Sequence, residues 1–365
     1  MRESYKDYSG NQYSAHIGCQ DMLVSCMARL RRKMENENKF WEGSMSRRHI
    51  IADLGSADGS SSIRTLRTAM ESFDNVESSN AIHVVFEEHP KSDKLQLQRT
   101  IDDNKCWFEA QNMTHEVLMK SFYEPLFEAN SVDFMMSYIC LHWLDVSDSN
   151  FSAWKNLTNH NASDTFFQVN EVTAPIDLRE AWRQQLANRH LANFLSLRAL
   201  ELRPGAELLV TMVAYPHDYI CPPDSSKASP LTTAMQRCVH NGSLRSEVLT
   251  QMIIPYYLRK PDDIKDALQM ANDELDEASS LELVDLRTYE TKVGEDSNNV
   301  VFDNYQLFWS IHGGCVSTAG ATEKEKKAVQ HELEKVFQES YDPEIGIHGT
   351  FIACIFRKRT RKPWK

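Results

Sequence analysis

Apolar residues recur along this chain at two spacings, and the switches between them mark out alternating helices and strands. Residues 22–34 carry Leu23, Met27, Leu30 and Met34 at three- and four-residue intervals, one face of an amphipathic helix. The unbroken run Ile50-Ile51-Ala52 reads as the end of a buried strand. Ile63, Leu66 and Met70 line the inner face of a second helix, and residues 81–86, AIHVVF, form a second strand. Short strands are expected at 105–109 and 131–137, and a long helix at 178–202 is ended by Arg203-Pro204-Gly205. A fifth strand at 207–213 follows, then a short helix or extended run at 244–254, a helix at 262–275 and an alternating strand at 280–291. Two apolar stretches, 305–312 and 349–357, bracket a helix at 323–338, and the second makes the better final strand. Residues 215–231 hold four prolines and no period, the mark of a loop over one edge of the sheet. The alternation as a whole predicts an α/β fold with a mostly parallel sheet.

One corner of this pattern carries candidate chemistry. Asp53 stands at the carboxyl edge of the first strand, and Gly55 and Gly59 allow a tight turn into a helix begun by Ser60, Ser61 and Ser62. A strand, a glycine turn and a helix N-terminus surround a small cleft with backbone N–H groups and a carboxylate. The spacing is D-x-G-x-x-x-G rather than the G-x-G-x-x-G of dinucleotide enzymes, which points to S-adenosylmethionine (SAM), a cofactor with no pyrophosphate to cradle. The second strand ends in Glu87-Glu88, one strand and one helix beyond Asp53, where a carboxylate can accept both hydroxyls of a ribose. Glu88 is the favoured residue and Glu87 the fallback. After the fourth strand, Leu141-His142-Trp143-Leu144 places an imidazole and an indole at the same edge of the sheet.

Charge and cysteine usage narrow the reading. A net charge of −12 argues against a nucleic-acid backbone as ligand. The eight cysteines are scattered, with no metal-ligand spacing, and read as reduced thiols. No apolar leader and no run of about 18 apolar residues is present, so a cytoplasmic, non-membrane protein without a bound metal is expected.

Several of these stretches coincide with the SABATH family of small-molecule methyltransferases, which this sequence resembles over most of its length. The family includes salicylate, benzoate, jasmonate and indole-acetate carboxyl methyltransferases and the caffeine-pathway N-methyltransferases. The stretches that carry the resemblance are Tyr13 and Gln20 in the N-terminal segment, IADLGSADG, EEHPKSD, SFYEPLF and LHWLD. It implies a class I, Rossmann-like methyltransferase core with a mostly parallel seven-stranded sheet and a C-terminal antiparallel hairpin. It also implies a single domain over residues 1–365, with an arm at 1–20 closing the site, a helical cap centred on 215–275, and a homodimer. Tyr13, Asp53, Gly55, Ser61, Glu88, His89, Ser121 and Phe122 would then hold the cofactor. Gln20, Ile139, His142, Trp143 and Tyr257 would face the acceptor. The sequence departs from the pattern at His16 and Ile17, where the family has Asn-Ser, at Ser61 for an asparagine, at Ile139 for a tyrosine, and near Ala228, where an aromatic is usual. These substitutions mark a divergent member or a different acceptor shape.

A carboxylic acid acceptor fits the lack of an evident catalytic base, because a carboxylate is already ionised at neutral pH. Gln20, Trp143 and His142 would supply donors that orient it. A neutral ring N–H or phenol acceptor would instead give His142 a proton to remove. A nicotinamide-dependent oxidoreductase and a catalytically silent binding protein are the remaining alternatives.

Overall fold

The computed structural model describes residues 15–40, 47–71, 73, 82–144, 176–215, 228–252, 254–292, 300–340 and 348–360. Seven strands form one sheet in the order β3-β2-β1-β4-β5-β7-β6. The strands are β1 (His49–Leu54), β2 (Ile82–Glu88), β3 (Met113–Met119), β4 (Val132–Tyr138), β5 (Leu202–Val213), β6 (Leu281–Lys292) and β7 (His348–Lys358). The first five run parallel, whereas β7 is antiparallel to both β5 and β6. This is the Rossmann-like class I methyltransferase arrangement with an antiparallel pair at its C-terminal end.

The central strands β2 and β4 are buried at every position, as expected of parallel strands covered on both faces. On one face lie α1 (Gln20–Phe40), α2 (Ser60–Glu71), α3 (Lys94–Asp102) and α4 (Lys105–Ala110). Their apolar stripes, among them Leu23, Met27, Leu66, Leu97 and Phe108, meet Ile51, Val84, Phe134 and Met136. On the other face α6 (Asn188–Glu201) and α9 (Pro261–Asp273) pack through Leu191, Phe194, Leu195, Ile264 and Ala267. A separate apolar cluster joins α7 (Pro230–His240), α8 (Ser246–Gln251), α10 (Val300–Thr318) and α11 (Glu323–Ser340) above the carboxyl edge. No helix among the described residues is long and apolar enough to cross a membrane.

Three sequence expectations are corrected. Residues 105–109 are not a strand but the helix α4, with Asn104 at its N-cap and Asn112, at φ +53°, ending the turn that follows it. The third strand lies beyond, at Met113–Met119, where alternating exposed Thr114 and Glu116 suit an edge position. The apolar stretch 305–312 is the middle of α10, and it is apolar because Tyr305, Phe308 and His312 face the upper cluster and its aromatic rings. The long helix is interrupted: α5 (Ile176–Ala181) passes through a wide π-type stretch at Trp182–Ala187 before α6 begins. Such a widening inserts a residue into the helical ladder and occurs often beside functional sites.

Of the N-terminal arm, residues 1–14 lie outside the described residues, as does Tyr13. Residues 15–19 are pinned: Tyr289 Oη–H donates to the Ala15 carbonyl (2.6 Å), and Gly18 packs so closely that a Cβ would sit 2.1 Å from the Tyr289 ring.

Candidate active site

The corner after β1 is built by backbone conformation. Gly55 and Gly59 take φ +81° and +82°, and Ala57 between them takes φ +53°. A Cβ at Gly55 would lie 2.6 Å from Cys140 Sγ, so the glycine both turns the chain and admits the segment after β4. The turn is fastened to the end of β2. Gly55 N–H donates to the Glu87 carbonyl (3.1 Å) and to Glu87 Oε2 (2.9 Å), and Ala57 N–H donates to Glu88 Oε2 (2.6 Å). Glu88 Oε1 accepts from His89 N–H (2.9 Å) and Ser92 Oγ–H (2.7 Å).

Three carboxylates thus meet where little water reaches. Burial pushes Asp53 up to about 6, against hydrogen bonds from Ser62 and Ser56 that favour its charge, and the neighbouring Glu88 pushes the same way as burial. Glu87 is fully buried and raised well above the usual carboxylate range, by burial first and by the Glu88 charge second. Its Oε1 has no hydrogen-bond partner. The cation that most eases Glu87 is Arg198, but that guanidinium is itself engaged by Glu201 (2.7 Å) and by the carbonyls of Phe122 and Glu124. Carboxyl groups kept from water, one with an orphaned oxygen, suit a cationic ligand with hydroxyl or ammonium donors, whose charge would favour their ionised forms.

Of the other cofactor-side residues, Phe122 is beside the corner, with Cε1 3.9 Å from the position a Gly55 Cβ would take and its ring edge-on to Phe194. Ser121 lies next to it, its Oγ accepting from Tyr123 N–H (3.2 Å). Ser61 is half-buried in the first turn of α2, and His89 is exposed, its Nδ1 accepting from Lys91 N–H.

The acceptor-side residues stand on a turn, 139–144, that is held from many directions. Ile139 takes φ +51°, a strained conformation for a β-branched residue. Its N–H donates to the Thr211 carbonyl (2.8 Å), and Trp143 N–H to the Cys140 carbonyl (3.0 Å). Leu144 N–H reaches the Pro255 carbonyl, Tyr257 N–H the His142 carbonyl, and Tyr123 Oη–H the Trp143 carbonyl. Cys140 Sγ bonds Ser137 Oγ (2.9 Å), and burial holds its thiol far above the ordinary range, protonated and unreactive.

The Trp143 indole stands 5.3 Å from the His142 ring, 6.1 Å from Tyr256 and 6.0 Å from His312. Tyr256 and His312 are site residues that the sequence did not single out. His312 donates Nδ1–H to the Phe308 carbonyl (2.9 Å), and burial pulls it down to about 4, so the ring is neutral with its acceptor at Nε2. Tyr257 belongs to a different cluster, with Leu144, Trp182 and Leu186, and its hydroxyl donates to Asp263 (3.3 Å). Gln20 is the half-buried first residue of α1. His16, another departure, is buried against the Tyr138 ring and pulled down to about 4 by burial, then by Arg64.

Residues 2–312 match the family described as SAM-dependent carboxyl methyltransferase. The chain belongs to that family. It is 23% identical over 311 residues to 3,7-dimethylxanthine N-methyltransferase 1 of Coffea arabica, covering 80% of this chain and 73% of that protein. It is 22% identical over 232 residues to loganic acid O-methyltransferase of Catharanthus roseus, covering 60% and 58%, and 23% identical over 227 residues to methyltransferase LUC1 of a Fusarium species, covering 60% and 54%. A solved structure of loganic acid methyltransferase with S-adenosylhomocysteine superposes with a TM-score of 0.73 at 17% identity, over 98% of this chain and 96% of that one. SAM is therefore the cofactor of this methyltransferase, and its acceptor is a small organic molecule. The corner after β1, with three carboxylates and one orphaned oxygen at Glu87 Oε1, is chemically compatible with a cofactor that carries a sulfonium, an ammonium and a ribose diol.

Proposed function

We propose that this methyltransferase acts on the carboxylate of a small hydrophobic acid and yields a methyl ester. Bound SAM supplies an electrophilic methyl group and carries away the bonding electron pair on sulfur as a neutral thioether. Asp53 holds the positive amino-acid end and Glu88 the ribose, with Glu87 behind it. Phe122 and Ser121 flank the adenine, and Gly55 leaves room for close approach. On the acceptor side the Trp143 Nε1–H and the Gln20 carboxamide would grip one carboxylate oxygen and leave the other turned towards the cofactor's methyl group. No proton moves, so orientation and exclusion of water supply the acceleration. The observation that carries this reading is the multiply tied turn 139–144, which reaches the cofactor corner through Cys140 and presents Trp143 beyond it.

The xanthine N-methyltransferase relative supports a second reading, N-methylation of a heterocycle, in which His142 or His312 takes a proton. His312, pulled down to about 4, is a poor base at neutral pH and serves such a ring only as a hydrogen-bond acceptor. The carboxylate reading needs no base at all. The deciding experiment incubates the enzyme with methyl-labelled SAM and a panel of aromatic, fatty and terpenoid acids. Labelled product cleaved by mild base is an ester and supports the reading; base-stable label on xanthine or a phenol replaces it with the second.

A further inference from the structure

The acceptor turn has a guanidinium behind it that, among the described residues, no carboxylate neutralises. Arg259 lies in the segment between α8 and α9 and is fully buried. Its Nη1–H donates to the Leu141 carbonyl (2.6 Å) and its Nη2–H to the Ala187 carbonyl at the end of the π-type stretch (2.9 Å). Its backbone pairs beside Ala214, with Tyr215 N–H donating to its carbonyl (3.2 Å). One side chain therefore ties together the turn after β4, the exit of β5 and the widened helix. Its Nε is buried without a hydrogen-bond partner.

Among the described residues no carboxylate forms an ion pair with Arg259. The acid whose charge it feels, Asp263, is already held by Arg183 (2.5 Å), by Lys260 N–H (2.7 Å) and by Tyr257 Oη–H. A guanidinium stays charged at neutral pH even when buried. A buried, uncompensated cation is costly to a fold, and an apolar residue would fill the same space without that cost. Neutral partners are enough to hold a backbone carbonyl, so the two hydrogen bonds alone do not call for a charge. The charge does have a further effect: it polarises the Leu141–His142 amide whose carbonyl it binds, and the turn carrying His142 and Trp143 stands in its field.

We infer that Arg259 is a positioning residue that fixes the acceptor turn and, through its buried positive charge, makes the acceptor side favour an anion over a neutral isostere. The inference rests on the carboxylate reading above and deepens it. It sets the acceptor side of the molecule electrically opposite to the cofactor corner, with its three carboxylates.

The test uses Arg259→Met, which removes the charge at similar length, and Arg259→Lys, which keeps it without the planar fork. The acid turned over fastest in the labelled panel is compared with its own primary amide as a competitive inhibitor. Affinity for SAM is measured by calorimetry on each protein. The expected result for Arg259→Met is an acid KM raised about tenfold or more, the size of one lost charge-assisted interaction. The amide Ki and the SAM Kd should stay within about twofold, and Arg259→Lys should recover part of the acid affinity. Equal losses for acid and amide would reduce Arg259 to a structural tie, and unchanged acid affinity would remove any role. Should Arg259→Met not fold, seen as no SAM binding, the wild-type ratio decides: an amide that binds as well as the acid overturns the charge selection. A wild-type enzyme that esterifies no acid overturns the carboxylate reading itself, and the inference with it.

Discussion

The corner after β1 and the turn after β4 are neighbours at one edge of the sheet, yet they are built on opposite electrostatic plans. At the corner Asp53, Glu87 and Glu88 converge, and the nearby Arg198 is already taken by Glu201. At the turn, Arg259 stands behind Leu141 and His142 with no carboxylate bound to it among the described residues. The corner tolerates strain through two glycines and Ala57, whereas the turn tolerates it at Ile139 through hydrogen bonds from five directions. The corner keeps one carboxylate oxygen, Glu87 Oε1, without a hydrogen-bond partner, whereas the turn is fixed by its own hydrogen bonds. On the carboxylate reading proposed above, a sulfonium donor and an anionic acceptor would occupy adjacent places without competing for the same groups.

Four measurements would break or sharpen this contrast. The largest effect is expected from Gly55→Ala, which forces a side chain into positive φ and onto Cys140 Sγ. A loss of about 3 kcal/mol in stability should appear as a melting temperature lower by several degrees. An unchanged melting temperature would mean that the two segments do not meet as described. Next, Asp53→Asn removes the charge proposed to face the cofactor. SAM affinity should fall by about 2 kcal/mol in calorimetry while the acceptor KM is little altered.

The third concerns pH. Asp53 titrates near 6 in the free protein, above its ordinary value, so the fold favours its protonated form. The sign follows from linkage: the free protein is penalised as pH rises from about 4 to 6, by up to roughly 3 kcal/mol, and the penalty is constant above that. A cationic ligand needs the ionised form, so SAM should bind about tenfold more weakly at pH 5 than at pH 7.5. Thermal shifts induced by SAM should grow over the same interval; a flat profile would remove Asp53 from the contact. The smallest effect is Trp143→Phe, which keeps the ring and deletes its donor. Acceptor kcat/KM should drop by about 1 kcal/mol with the SAM Kd unmoved, and a parallel loss of SAM binding would place Trp143 at the corner instead.

The corner was legible in the sequence because its signals are local. An apolar strand, an aspartate, two glycines and a serine-led helix lie within a dozen positions, and each residue type has one conformational use there. The turn was only half legible. His142 and Trp143 stand out by type, but nothing in Ile139 announces a left-handed conformation, since isoleucine is a poor choice for it. Tyr256 and His312 come from segments far along the chain, and α10 reads as a plainly apolar stretch in which a histidine has no period of its own. Arg259, between Leu258 and Lys260, has the composition of a surface loop, and only tertiary packing buries it. The shift of the third strand from 105–109 to Met113–Met119 has the same origin: both stretches carry apolar residues, and the helix between Asn104 and Gln111 is separated from the strand by Asn112, at positive φ.

The position of β7 has a consequence for how the polypeptide assembles. Among the described strands it is synthesised last, but in the sheet it lies between β5 and β6. β6 is synthesised earlier and must wait, with α10 and α11 emerging in between, for the partner that joins it to the rest. The parallel half can dock as it is made; the antiparallel end closes only after translation reaches residue 358. A nonsense mutation between residues 293 and 347 would therefore remove β7 and leave β6 cut off from the rest of the sheet.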